Sequence, residues 1–120
     1  MFRVIIAGTR TFSNYALLAD YADKKLSAIS EHEVIEIVSG GANGADTLGE
    51  QYAKERGYHV KRFNAEWDKY GYSAGPRRNK QMAEYADALL AYWDGHSRGT
   101  RNMIELAKEY GLKIGVKIYE

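Results

Sequence analysis

Val34-Ile-Glu-Ile-Val-Ser-Gly-Gly-Ala-Asn-Gly-Ala-Asp46 is the stretch that decides the fold. Val34 to Val38 is a β-branched, apolar-rich run of strand character, and Ser39-Gly40-Gly41 ends it. Ala45, Leu48, Tyr52 and Ala53 then recur at helical spacing. A strand that opens through a glycine turn directly into a helix is the unit of a parallel α/β sheet. Glycine lets backbone approach a ligand closely, and a helix N-terminus presents unpaired N–H groups carrying partial positive charge. The same thirteen residues therefore predict a fold and an anion-binding turn together.

The pattern repeats on both sides. Phe2 to Ala7 reads as a strand ending at Gly8, followed by Tyr15, Leu18, Ala22, Leu26 and Ile29 on one helix face with Ser13 as its N-cap. Gly57 takes the position of a left-handed C-cap for the helix after Ala45, and Tyr58 to Phe63 reads as a third strand. Residues 64–76 form a long irregular stretch holding Trp67, Tyr70, Gly71, Tyr72, Gly75 and the only proline, Pro76. A helix is expected from about Arg77 to Tyr85, then a continuous apolar run, Ala88-Leu-Leu-Ala-Tyr-Trp93, of the kind a central strand buried on both faces needs. Thr100 to Tyr110 gives a last helix and Leu112 to Tyr119 an alternating strand near a sheet edge. Strand and helix alternate throughout, which predicts a single Rossmann-like α/β domain over residues 1–120. Its sheet is doubly wound, five-stranded and mainly parallel, with helices on both faces. Ligands of such sheets bind beyond the carboxyl ends of the strands, where the Gly8, Gly40 and Gly95 turns all fall.

Composition narrows the function. The 120 residues suit one domain, and 45% hydrophobic content suffices for a core. A net charge of +1 lacks the basic excess of a general nucleic-acid binder. No cysteine is present, and the three histidines, His32, His59 and His96, show no metal-ligand spacing, so no metal site is expected. No apolar run is long enough to span a bilayer and Met1 leads straight into a strand, so a cytosolic setting without membrane contact is expected. Ten tyrosines suggest aromatic packing and permit a homo-oligomer interface.

Several groups of residues carry candidate chemistry. Gly8-Thr9-Arg10 offers amides, a hydroxyl and a guanidinium whose fork suits phosphate. Within Ser39 to Asp46, the amides of Gly41, Ala42, Asn43 and Gly44 follow Ser39 and Gly40 and are placed to hold a phosphate. Asp46 then meets a ribose hydroxyl or simply complements the helix dipole. The spacing fits neither G-x-G-x-x-G nor the lysine-bearing P-loop. Trp67, Tyr70 and Tyr72 offer faces for a base, or equally a local cluster or dimer contact, with Trp67 the favoured stacker. Arg77, Arg78 and Asn79 follow Pro76 in the first turn of a helix, where cations oppose the dipole unless an anion compensates. Asp94 to Thr100 forms a second glycine turn, in which Gly99 and Thr100 face ligand, or Ser97 or Thr100 serves simply as an N-cap.

Taken in order, Gly8-Thr9-Arg10, Ser39-Gly-Gly-Ala-x-Gly-Ala-Asp46, Trp67 with Ala74-Gly75-x-Arg77-Arg78-Asn79, and Gly99-Thr100 resemble the YspA-like branch of the SLOG superfamily. This is the Rossmann-like group that includes the DprA and Lonely Guy proteins. The resemblance implies a Rossmann-like fold with a site for nucleotides, nucleotide sugars or NAD-derived signals such as ADP-ribose. Several anion-suited turns on one sheet edge without an acid/base pair point to a module that senses or sequesters its ligand and requires no further cofactor. The Lonely Guy enzymes hydrolyse the N-glycosidic bond of nucleoside monophosphates with an arginine and the glutamate of P-G-G-x-G-T-x-x-E. Arg78 matches the arginine and Gly99-Thr100 the Gly-Thr, but Met103 stands at the glutamate. Glu105 is about 200° further round the helix. Hydrolysis in this chain would fall to Arg78 and Asp46. Single-strand DNA binding, as in the DprA relatives, is disfavoured by the near-neutral charge.

Overall fold

The computed structural model describes residues 1–119. Five strands, β1 (Phe2–Gly8), β2 (Ile35–Ser39), β3 (His59–Arg62), β4 (Ala88–Trp93) and β5 (Lys113–Ile118), form one sheet in the order β3-β2-β1-β4-β5, every pairing parallel. The helices are α1 (Tyr15–Ser30), α2 (Ala45–Arg56), α3 (Trp67–Tyr70), α4 (Ala74–Tyr85) and α5 (Arg98–Glu109), with a 3-10 turn at Gly71–Ser73 before α4. The expected doubly wound α/β architecture is thus present, and the whole sheet is parallel.

Alternation along β1 sorts the core into two layers. Val4 and Ile6 face α1 and α2, packing with Leu18, Ala22, Leu26, Tyr52, Ala53 and Tyr92. Ile5 and Ala7 face α4 and α5, packing with Met82, Ala83, Met103, Ile104 and Ala107. Side chains of a strand alternate in direction, so an inner strand covered on both faces must be apolar at every position. Ala88 to Tyr92 meets that demand and is wholly buried. The middle position belongs to β1, however, with β4 beside it. At the edge, all four residues of β3 are exposed.

Helix boundaries differ from expectation where local chemistry was misjudged. Asn14, not Ser13, caps α1: its Oδ1 accepts the Leu17 N–H at 3.0 Å. Gly57 closes α2 in the left-handed conformation, as expected. The stretch 64–76 is not irregular, because α3 and the 3-10 turn occupy residues 67–73 and α4 begins at Ala74. Pro76 lies inside the first turn of α4, where a missing N–H costs nothing and its fixed φ suits a helix. The start of α5 is Arg98 rather than Thr100.

The path of the chain explains the position of the site. From β1 the chain winds through β2 to β3, then returns across the sheet to β4 and β5 on the other side of β1. The reversal opens a crevice beyond the carboxyl ends of β1 and β4, between turns that diverge in opposite directions. Close packing brings α2 onto β1 at Gly49, where an added Cβ would stand 2.7 Å from Ile6 Cγ2. Gly49→Ala should therefore destabilise the protein by about 1–3 kcal/mol through overpacking, although alanine favours helix by about 1 kcal/mol. Urea denaturation measures the difference, and a stabilised variant would contradict this packing.

Candidate functional site

At that crevice lies a cleft of about 450 Å³, built from the β1 turn, the start of α2, α3, the first turns of α4 and the start of α5. Its size is within the range of roughly 300–1,000 Å³ for small-molecule sites. Ala7, Met82 and Met103 supply apolar surface, and Asp46, Arg78, Asn79 and Asn102 supply polar groups. Arg10, Trp67 and Arg98 also line it. A smaller annex of about 260 Å³ adjoins, sharing Arg10, Ala42, Trp67 and Arg78 with the cleft and adding Gly40, Gly41, Asn43, Asn64 and Ala65.

The structure brings most of the sequence-predicted residues together. Gly8, Thr9, Arg10, Ala42, Asp46, Trp67, Arg78, Asn79, Gly99 and Thr100 line the cleft. Gly40, Gly41 and Asn43 line the annex. Four others stand outside both cavities. Ser39 is buried, its Oγ donating to Glu50 Oε2 at 2.6 Å and accepting from the Gly41 N–H at 3.1 Å. Gly44 lies against the β1 turn: at φ +82° a Cβ there would stand 2.4 Å from the Thr9 carbonyl oxygen, so the position serves chain packing. Arg77 stacks on Tyr70 at 4.2 Å and donates from Nε to Ser73 Oγ at 3.1 Å. Asp94 folds its own turn, accepting the His96 and Ser97 N–H groups at 2.8 Å each. Those donors hold its carboxyl below the usual range.

One buried junction joins the glycine run to α4. Arg78 donates from Nη1 to the Gly40 carbonyl at 2.5 Å and from Nε to Asn79 Oδ1 at 3.0 Å. Asn79 passes the connection on, donating from Nδ2 to the Gly99 carbonyl at 3.3 Å and to Asn102 Oδ1 at 2.9 Å. A Cβ on Gly40 would stand 2.6 Å from Arg78 Nη1 and 2.7 Å from Asp46 Oδ2, so glycine is what admits both charged groups. Asp46 accepts the Ala42 N–H at 3.2 Å. Burial outweighs this bond and the nearby Arg78 charge, and pushes the Asp46 carboxyl up to about 6. Burial lowers the Arg78 guanidinium too, with Asp46 opposing the shift.

The rim is rich in cations, and among them only Arg78 has a nearby carboxylate, Asp46. No ion pair among the described residues involves Arg10, Arg78 or Arg98. Arg10 instead stacks over the Trp67 ring at 5.6 Å. At the start of α5 no side chain caps the free N–H groups and the first turn holds no acidic residue. Thr100 Oγ1 donates to Ser97 Oγ at 3.2 Å rather than capping the backbone. An added Cβ on Gly99 would meet nothing within 4 Å. Helix dipole, open backbone and unpaired guanidinium groups thus point one way, towards an anion.

Sequence reasoning missed Arg98, Asn102, Met82, Asn64 and Ala65 as lining residues. Asn102 stands one helical turn beyond Arg98, so the 3.6-residue period alone could have found it. Asn64 follows β3 with no local signal, and only the fold of the next loop brings it to the glycine run. Met103 is buried and lines the cleft, whereas Glu105 is exposed, as the helical angle requires.

A parallel doubly wound sheet with a polar cleft at its switch point defines the class: a Rossmann-like α/β domain. More narrowly, residues 2–70 match the YspA, cpYpsA-related SLOG family, and the chain belongs to it. That span includes the Gly8-Thr9-Arg10 turn, the 39–46 run and Trp67. A comparison with curated proteins finds no match. Among solved structures, the chain is similar to DNA processing protein A (DprA) from Streptococcus pneumoniae, with a TM-score of 0.70 at 19% identity. The likeness covers 96% of this chain and 49% of that one, so this chain spans about half the length of the DprA structure. Among the described residues no helix is long and apolar enough to cross a membrane. No group of metal-ligating side chains is found among them.

The raised Asp46 pKa has a stability consequence. Below about pH 4 the carboxyl is protonated folded and unfolded alike and contributes nothing. As pH rises from about 4 to about 6 the unfolded chain ionises first, and stability is lost. Asp46→Asn should therefore be more stable than the parent at pH 8 by about 2–3 kcal/mol, at 1.36 kcal/mol per unit. The gap should close as pH falls from 6 to 4. Chemical denaturation at several pH values reads it, and a gap that widens on acidification would contradict the burial of this carboxyl.

Proposed function

We propose that the cleft binds a nucleotide or nucleotide-derived ligand as a sensing or sequestering module. One observation carries the reading: Arg10, Arg78 and Arg98, none of them ion-paired among the described residues, converge with the uncapped N-terminus of α5 on one cleft. Phosphate would sit at the α5 N–H groups between Arg10 and Arg98, ribose hydroxyls near Asp46, and the base against Trp67. Membership of the SLOG family supports a nucleotide-related role.

Two measurements test this. In a thermal-shift panel of nucleoside phosphates, NAD, ADP-ribose and cyclic ADP-ribose, a ligand at a hundredfold excess over its Kd should stabilise the fold by about 2.7 kcal/mol. Silence across the whole panel would reject the reading. Gly99→Asp should leave the free protein as stable or slightly more so, since a carboxylate in a first helical turn is worth about 0.3–1 kcal/mol and its Cβ meets nothing. The same variant should lose the ligand-induced shift by repelling the phosphate. An undiminished shift would place the anion elsewhere.

A second reading is hydrolysis of an N-glycosidic or phosphate bond in the same cleft, and Asp46 favours it. A buried carboxyl pushed up to about 6 beside Arg78 is poised to exchange a proton near neutral pH. Met103, at the place of the Lonely Guy glutamate, offers no proton and weighs against it. Release of free base or phosphate on incubation, abolished in Asp46→Asn, would establish hydrolysis. Intact ligand after many hours at micromolar protein would dismiss it.

A further inference from the structure

The two edges of the sheet, β3 and β5, are unlike. At one, β3 has four residues, all exposed, and Arg62 is paired with Glu50. A short, charged edge resists pairing with another chain. At the other, β5 has six residues, and its register sets Ile114, Val116 and Ile118 beside Leu89, Ala91 and Trp93 on the α5 side of the sheet. Ile118 is 62% exposed and Val116 36%. The Lys113 and Tyr119 N–H groups donate to the Asp87 and Trp93 carbonyls at 3.2 and 3.1 Å. Bonds to a neighbouring strand leave alternate residues, so Lys113, Gly115, Lys117 and Tyr119 turn their backbone groups towards β4. Ile114, Val116 and Ile118 turn theirs outward, three donors and three acceptors at an edge with no further strand among the described residues.

We propose that this edge pairs with β5 of a second copy of the chain, antiparallel about a two-fold axis at Val116. The strand is self-complementary in that register and not in those beside it. Centred on Val116, every outward residue meets another: Val116 faces Val116 of the second copy, and Ile114 faces its Ile118. All the outward backbone groups are then used, and an apolar row continues across the axis. On the α1 side, where Gly115 lies against Tyr21, Lys117 falls opposite Gly115 and Lys113 opposite Tyr119. Centred on Gly115, Lys113 would face Lys117 on both sides of the axis, and centred on Lys117 that residue would face itself. Like charges directly opposite are destabilising. Centred on Ile114, Val116 would meet Leu112, whose N–H already donates to the Ala107 carbonyl. None of the β5 side chains lines the cleft, so the pairing is independent of any ligand there.

Sedimentation equilibrium of the parent protein should show a dimer in exchange with monomer. Proline is tolerated on an edge strand where its missing N–H would face solvent. Val116→Pro should therefore keep the parent circular dichroism, yet weaken dimerisation about tenfold or more by removing one donor from each copy. Val116→Lys should also give a folded monomer, by setting like charges on the axis. Val116→Glu should do the same alone, and an equimolar mixture of Val116→Lys with Val116→Glu should dimerise again. A parent that is monomeric at every concentration would overturn the proposal. So would a dimer indifferent to both Val116→Pro and Val116→Lys, because its interface would lie elsewhere, or a mixture that stays monomeric. Loss of fold in Val116→Pro would contradict an outward N–H at Val116, and with it the register.

Discussion

The bond from the Arg78 guanidinium to the Gly40 carbonyl organises the carboxyl edge of this sheet. It connects the turn after β2 to α4, two elements 38 residues apart in sequence that arrive from opposite sides of the switch point. Through Asn79 the same side chain reaches the start of α5. Even a half-buried guanidinium is costly unless its donors are satisfied and its charge is balanced. Here two donors are satisfied and Asp46 lies close enough to oppose the lowering of its pKa. Some donor capacity remains in a group with five N–H bonds, and it borders both cavities. The residue that holds the edge together is thus also available to an anion.

This dual use extends to the glycines. The run at 39–46 has the composition of a phosphate cradle, but Gly40 and Gly44 are required by side chains and backbone already in the protein. Gly44 admits the β1 turn, and Gly40 admits Arg78 and Asp46. Gly41, Ala42 and Asn43 line the annex, with Asn64 and Arg62 close over Gly41. The more open backbone is at the start of α5, where Gly99 has no neighbours to accommodate and no side chain caps the helix.

Much of this was legible beforehand, and the rest was not, for identifiable reasons. Strand and helix periodicities are local, so the five strands and the apolar faces of α1 and α5 could be read directly from residues such as Leu18, Ala22, Met103 and Ala107. The turn residues also marked the edge that carries the cleft, because in a parallel sheet every strand-to-helix turn emerges at the same edge. Errors arose where two local signals compete. Asn14 rather than Ser13 caps α1 because both residue types serve, and only the geometry of entry selects one. Pro76 was read as a boundary, yet a proline is harmless in a first turn, and α4 absorbs it.

The amino-acid sequence alone determined the architecture and the edge at which the cleft forms, because hydrophobic period and glycine placement act over a few residues at a time. Tertiary structure decided which candidate groups share a cavity. Adjacent arginines diverge, Arg78 into the cleft and Arg77 onto Tyr70, because successive helical residues point about 100° apart and only packing says which one faces inward. Asn64 joins the glycine run because β2 and β3 are neighbours in the sheet, a pairing no single segment encodes. The burial that raises the Asp46 pKa is likewise a property of the assembled edge, where α2, α4 and the β2 turn remove water from one carboxylate.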